Sequence, residues 1–216
     1  VDKKKHLLVQ IGAGLSSGPS WISYDSSPTL AISKIPLLGP FLLKSIKGPK
    51  WPNSTRYADI LKGLPLPEES CRLIFCSHML EHLSLSDFKT ALRKIYQYLE
   101  PSGTFRLIVP DLEAYAKRYT LEIAEGRRDH AATAFIKETY LGCESTRQNF
   151  ASRLREALAS SRHQWLWDRG SLTKALQESG FQNIHSRRFG EWCDPIFSEV
   201  EREDRHTDAI CIECSK

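Results

Sequence analysis

His78, Glu81 and His82 stand in the order H-x-x-E-H. On a helix, positions four apart share a face, so the spacing suits a zinc peptidase with both imidazoles as ligands and Glu81 as base. The run before it, 72–76, is strand-like, which is the wrong setting for that chemistry. The plainer use of the same residues is a turn that Glu81 and His82 fix by hydrogen bonds. His78 also suits general-base work, because an imidazole with an ordinary pKa of about 6.5 takes a hydroxyl proton at neutral pH. Asp111 and His163 are two further catalytic candidates, and Asp111 equally suits capping a helix that begins at Leu112.

Glycine marks a second place for chemistry. Gly12 and Gly14 follow the apolar run Leu7–Ile11, where a turn without side chains lets a ligand approach the backbone closely. Gly18 falls at the wrong offset to complete G-x-G-x-x-G, so a plain strand-ending turn is the alternative. Asp25 closes the next apolar run, 21–25. A carboxylate there suits accepting both hydroxyls of a ribose, or simply an Asp turn before Ser26-Ser27-Pro28.

The elements that must hold these residues follow from the periodicity. Short apolar runs alternate with amphipathic segments through the first half, the pattern of a parallel sheet flanked by helices. Strands are expected at 7–11, 21–25, 72–76 and 104–109. Phe88, Ala91, Leu92, Ile95, Tyr96 and Leu99 recur at helical spacing over 86–99, with Ser84 or Ser86 as cap and 101–103 as stop. The rest predicts helices over 112–126, 131–140, 150–160 and 171–179, and closing strands over 183–189 and 209–214. An insertion is expected near 28–56. Only six residues separate Gly14 from Trp21, too few for a crossover helix. Either a loop replaces the first helix or the second strand lies elsewhere.

Residues 58–83 read ADILKGLPLPEESCRLIFCSHMLEHL, and 91–113 read ALRKIYQYLEPSGTFRLIVPDLE. Here the chain resembles the class I S-adenosylmethionine-dependent methyltransferases, in particular the type 11 group. HQWLWDRGSL at 163–172 and GFQNI at 180–184 are similar to members found in surface-polysaccharide gene clusters. The resemblance runs over nearly the whole chain and is densest from 58 to 113. It implies an α/β fold, a Rossmann-like three-layer sandwich with a mostly parallel seven-stranded sheet and a helical acceptor cap. One domain would span 1–216, with the cofactor half at 1–113, the cap at 114–170 and a closing helix and strands at 171–216.

The implied cofactor is S-adenosyl-L-methionine. Ile11, Gly12, Ala13 and Gly14 would form its loop, and Asp25 would take the ribose. Asp59 and Ile60 would meet the adenine, and Ser77 and His78 the methionine end. The implied activity is methyl transfer to a hydroxyl of a small-molecule or glycan acceptor. The alternative is a non-catalytic domain of this fold that serves as a partner or scaffold. Arg72 stands where the group usually has Asp, and Ser102 where it has Gly. Some class I members hold a divalent metal at this turn through E-x-x-E-H. His78 replaces the first Glu here, so no metal is expected. The alternative is an ion on His78, Glu81 and His82, with His163 as a fourth ligand.

Composition sets the outer bounds. The chain has 216 residues, 41% hydrophobic and 26% charged, which excludes disorder, collagen-like and coiled-coil states as the main form. With 30 Lys and Arg against 26 Asp and Glu, the formal charge of +4 is too small to point to nucleic acid. Six cysteines lack a paired spacing and no signal-peptide pattern is present, so reduced thiols and a cytoplasmic location are expected. The longest apolar run, 35–43, is about half of what a membrane helix needs. Flanked by Lys34, Lys44, Lys47 and Lys50, it suits either a core-covering segment or peripheral contact with a membrane. Cys211-x-x-Cys214 lies on an expected strand without a partner pair, which argues against zinc there.

Overall fold

The two strands that carry the glycine turn and Asp25 lie side by side. Leu7–Ile11 (β1) pairs in parallel with Ile22–Asp25 (β2), with Val9 opposite Ile22 and Ile11 opposite Tyr24. No helix joins them, so the loop is what replaces the first crossover. Trp21 shows why the loop is fixed: it is buried against Phe75 and Phe197, with ring centroids 6.4 and 5.4 Å away. Gly18 lies beneath it, where a Cβ would come within 2.5 Å of the Trp21 ring and 2.8 Å of Val200. The computed structural model describes residues 6–46, 48–142 and 162–216.

Two short helices, Pro28–Ser33 (α1) and Gly39–Ser45 (α2), occupy the expected insertion, and Arg56–Tyr57 (β3) extends the sheet beside β2. Cys71–Ser77 (β4) pairs in parallel with β1 and with Leu99–Pro110 (β5). Between β4 and β5 runs Leu85–Tyr98 (α3), capped by Ser84, whose side chain accepts from the Asp87 N–H. Leu112–Ala124 (α4) and Arg128–Glu138 (α5) pack on each other. The expected helix over 150–160 lies outside the described residues, as does Lys47. Arg169–Glu178 (α6) precedes Gln182–Ser186 (β6) and Ala209–Ser215 (β7), the latter antiparallel to both β5 and β6.

The strand order is β3-β2-β1-β4-β5-β7-β6. This is a Rossmann-like seven-stranded sheet, parallel except for β7, and the order reverses between β1 and β4. Alternation along the strands divides the core, as period-two geometry requires. Ile74, Cys76, Phe105, Leu107 and Val109 face a large cluster closed by Phe88, Leu92 and Ile95 of α3 and by Leu172 and Leu176 of α6. Leu73, Phe75 and Ile108 face a smaller cluster with Trp21, Phe197 and Val200. The short 3₁₀ helix Pro195–Glu199 closes that side. Arg72, the residue that departs from the type 11 pattern, donates from Nη1 to Asp194 Oδ2 at 2.5 Å and so tethers this cover to β4. Among the described residues, no helix is long and apolar enough to cross a membrane.

Candidate functional site

Ligands of open α/β sheets sit beyond the carboxyl ends of the strands where the order reverses. A cleft of about 390 Å³ lies there, walled by the ends of β1, β2 and β4, within the usual size range for a small-molecule or cofactor site. All nine residues that the resemblance assigns to a cofactor, Ile11, Gly12, Ala13, Gly14, Asp25, Asp59, Ile60, Ser77 and His78, line it.

The glycine turn is built for close approach. Gly12 and Gly14 have φ of +67° and +57°, a region that costs side-chain-bearing residues energy. A Cβ on Gly12 would fall 2.5 Å from Met79, whereas one on Gly14 would meet nothing within 4 Å, so the open side of the turn is at Gly14. Asp25 is buried and straddles the turn: its Oδ2 accepts from the Gly14 N–H at 2.9 Å and its Oδ1 from the Ser27 N–H at 2.7 Å. Each carboxylate oxygen accepts about two hydrogen bonds, so one acceptor site per oxygen is left for a ligand diol. On the opposite wall, Asp59 Oδ1 accepts from the Leu61 N–H at 2.9 Å, while Ile60 is buried. The Ser77 hydroxyl is buried with no hydrogen-bond partner. An orphan of that kind on a cleft wall is a polar group awaiting a ligand or a water.

The turn after β4 is strained and heavily anchored. His78 has φ +50°, uncommon for a residue with a side chain and frequent at functional sites. Its N–H donates to the Ile108 carbonyl at 2.9 Å, and its Nε2 lies 2.8 Å from the Arg205 carbonyl. A carbonyl only accepts, so Nε2 carries a hydrogen. Nδ1 faces Glu81 Oε1 at 3.4 Å. Burial alone pulls the His78 imidazole down; the hydrogen bond and charge of Glu81, with the Arg205 carbonyl, outweigh it and hold His78 above its ordinary value. Both ring nitrogens therefore face protein groups, and the geometry makes His78 a tie between this turn and residues 203–206.

Glu81 and His82 sit in the 3₁₀ turn Leu80–His82. His82 Nδ1 lies 3.0 Å from the Arg162 carbonyl, which only accepts, so Nδ1 carries a hydrogen. The Glu81 carbonyl accepts from the Gln164 and Trp165 N–H groups at 2.7 and 3.1 Å, and Gln164 Nε2 donates to the His82 carbonyl at 2.6 Å. These bonds staple 162–165 to the turn and bring His163 over Glu81. Burial holds the His163 imidazole below its ordinary value, against the charge of Glu81.

The other catalytic candidates lie elsewhere. Asp111 caps α4, its Oδ1 accepting from the Glu113 N–H at 2.9 Å, and neither it nor His163 is among the residues walling the cleft. Trp167, beside Asp111 in the sheet's extension, is buried in the core and packs on Phe88 with centroids 4.4 Å apart. Cys211 and Cys214 are buried, and burial pushes the Cys211 thiol up to about 12. The cleft also contains residues that sequence reasoning missed: Met79, Val200, Arg202 and Arg205. The last three come from a segment with no motif, and only the fold brings it over the strand ends.

A comparison with protein families matches residues 17–186 to a family described as a methyltransferase domain. Among solved structures, the chain is similar to the CurJ carbon methyltransferase at 14% identity, covering 100% of this chain and 50% of that one, with a TM-score of 0.47. It is also similar to a 1,6-didemethyltoxoflavin-N1-methyltransferase of Burkholderia thailandensis with bound S-adenosylhomocysteine: 14% identity, coverage 98% and 71%, TM-score 0.48. A SAM-dependent methyltransferase from Archaeoglobus fulgidus gives 14% identity, coverage 98% and 86%, and a TM-score of 0.48. The chain thus spans half the length of the first of these. No curated protein matches the chain.

Proposed function

The chain belongs to the methyltransferase-domain family, and on that premise we propose that its cleft binds S-adenosyl-L-methionine for methyl transfer to a hydroxyl of a small molecule or glycan. One observation carries the reading: Asp25, buried and held by the Gly14 and Ser27 N–H groups, keeps an acceptor site on each oxygen beside the open side of the glycine turn. That pairing of groups suits a ribose diol next to a backbone that tolerates close contact. When bound, the cofactor supplies an electrophilic methyl group on a sulfonium. The protein's part is to hold the two partners in line, for which fixed geometry counts more than any single base. Asp59 and Ile60 would take the adenine edge and face. The Ser77 hydroxyl and the strained His78 backbone lie at the β4 end, where the methionine portion is expected.

The acceptor side is read from charge and exposure. Arg205 borders the cleft and favours an acceptor that carries negative charge, while Arg202 beside it is paired with Asp204. Leu37, Leu38 and Phe41 are exposed beside Lys34, Lys44 and Lys50, which supports peripheral contact with a membrane and an acceptor held there. The free thiols of Cys71, Cys76, Cys193, Cys211 and Cys214 are in keeping with a cytoplasmic setting. A surface glycan or its lipid-linked precursor would meet all three features.

The test is calorimetry with S-adenosylhomocysteine, followed by turnover on a panel of glycan and small-molecule hydroxyl acceptors with labelled cofactor. Saturable binding at a stoichiometry of one is expected. Absence of binding at millimolar ligand would sink the cofactor reading. Binding without turnover on any acceptor would favour the scaffold alternative.

A further inference from the structure

Charge is placed unevenly along this chain. From Ser26 to Ala58 there are five cations, Lys34, Lys44, Lys47, Lys50 and Arg56, and no Asp or Glu. The whole chain carries +4, so the residues outside this stretch sum to −1. The same stretch exposes a run of apolar side chains: Leu37 is 97% and Phe41 69% open to solvent, and Ile35, Leu38 and Leu42 are exposed around them.

The backbone holds these side chains out. α2 folds back closely on α1 at Gly39, where a Cβ would come within 2.6 Å of the Ile32 carbonyl oxygen, and the Gly39 N–H donates to the Ile35 carbonyl at 3.0 Å. Leu37, in the turn between the helices, has φ +64°, a region costly for a residue with a side chain. A strained apolar residue that finds no burial in its own fold marks a contact surface. At the foot of the turn lies a second cavity, about 500 Å³, which shares no lining residue with the cleft. Lys34, Asn53, Ser54 and Arg56 line it, and none of the described residues lining it is acidic. Lys34 Nζ donates to the Asn53 carbonyl at 3.3 Å, which fixes the ammonium and leaves two of its hydrogens for an anion.

We infer that the turn between α1 and α2 docks on the surface of an anionic lipid bilayer, with Leu37, Leu38 and Phe41 among the acyl chains and Lys34 and Arg56 on lipid phosphate. An apolar tip flanked by lysines is the pattern of interfacial contact, in which flexible ammonium groups reach the head groups. A protein interface instead favours Arg, Tyr and Trp and is poor in Lys, and four of the five cations here are Lys. Ser26, Ser27 and Pro28 line the cleft, and α1, six residues and about 9 Å long, joins them to the turn. Docking therefore brings the cleft to the lipid surface. That its acceptor hydroxyl sits at that surface rests on the methyl-transfer reading, whereas the docking itself does not.

The experiment sediments the untagged chain with vesicles of phosphatidylcholine alone or mixed with phosphatidylglycerol, at low and high salt. Binding to the mixed vesicles is expected, with little to phosphatidylcholine and a fall as salt screens the cations. Burial of a Leu or Phe side chain changes partition by roughly 10- to 100-fold, so Leu37→Ser with Phe41→Ser, checked for folding by circular dichroism, should lose at least about 10-fold. Lys34→Gln with Arg56→Gln should lose roughly 10- to 30-fold on the mixed vesicles. Lys174→Gln, which removes an exposed cation of α6, should bind as the parent does. No sedimentation of the folded parent with the mixed vesicles overturns the inference, and so does equal binding by the Leu37 and Phe41 double variant. Dimerisation without lipid, lost in that same variant, together with no vesicle binding would assign the turn to a second copy and overturn it too. S-adenosylhomocysteine binding on the same samples separates the readings. A chain that binds the nucleoside but not the vesicles fails this inference alone, and one that binds the vesicles but not the nucleoside fails only the cofactor reading.

Discussion

Arg106 and Glu81 are both charged side chains with no exposure to solvent, and their surroundings are finished in different ways. Arg106, on the smaller core's face of β5, donates Nε to Glu201, Nη1 to Glu213 and the Glu191 carbonyl, and Nη2 to the Arg188 carbonyl. Glu213 Oε2 accepts from Arg187 at 2.8 Å, so two guanidinium groups face two carboxylates and the cluster is neutral. Glu81 has no close donor on either oxygen; the His78 and His163 imidazoles face its Oε1 from 3.4 and 3.8 Å. The first cluster welds β5, β7 and the 188–206 cover together and has no unmet valence for a ligand. The second is held in shape from its backbone side by Gln164 and Trp165, while its charged end meets only the looser contacts of the His78 and His163 imidazoles. Complete satisfaction reads as structure, and incomplete satisfaction at the end of a strand reads as a site.

The largest expected effect tests the complete cluster. Arg106→Met would leave Glu201 and Glu213 buried without their cation, and loss of one partner from such a group costs about 3–5 kcal/mol. Glu81→Gln removes a carboxylate that faces only the His78 and His163 imidazoles, at 3.4 and 3.8 Å, so its stability should change by no more than about 1 kcal/mol. Urea unfolding of both variants measures the difference. Similar costs for the two would break the contrast. If Arg106→Met does not fold, Arg106→Lys, which keeps the charge but loses the planar fork, supplies the comparison.

Asp25 stands between these extremes, with one acceptor site on each oxygen satisfied and one facing the cleft. Asp25→Asn should therefore cost more in ligand affinity than in stability. A charged hydrogen bond contributes about 1.5–3 kcal/mol, so S-adenosylhomocysteine should bind roughly 10- to 100-fold more weakly. Calorimetry measures it, and unchanged affinity would mean that Asp25 only ties the glycine turn.

The difference between these clusters also marks what the sequence could reveal. The sheet was legible wherever local pattern and tertiary role agree. Leu7–Ile11 is mostly apolar with Val9, Gln10 and Ile11 buried, Ser84 caps α3, and the short span from Gly14 to Trp21 leaves no room for a crossover helix. The helices α1 and α2 stay hidden because Pro36, Gly39 and Pro40 interrupt a run with no helical period, and β3 is two residues long. The glycine wall of the cleft was readable because Gly12, Gly14 and Asp25 are close in sequence. Arg202 and Arg205 were not, because long-range packing of a motifless segment sets their place. In the alternating strand TFRLIV, nothing local distinguishes Arg106, wholly buried, from an exposed arginine. That Glu81 lacks a close donor depends on what stands around it in space, which no spacing encodes.

The smallest effect belongs to an ion pair that water can reach, and it sharpens the contrast from the other side. Arg72 and Asp194 are 42% and 25% exposed in their side chains. The Asp194 carboxyl is held below its ordinary value first by the Ile196 N–H and then, against partial burial, by Arg72. A depressed carboxyl value stabilises the fold at pH above the unfolded value, about 3.9, and that contribution is lost as pH falls through the folded value. Solvent screening keeps the pair's share under about 1 kcal/mol. Arg72→Leu should therefore lower stability slightly at pH 7, and the difference from the parent should shrink in acid below the folded value of Asp194. Urea unfolding at neutral and acid pH measures both. A cost that matches that of Arg106→Met, or that does not shrink in acid, would mean that Arg72 acts through packing on β4 and that burial is not what separates the two arginines.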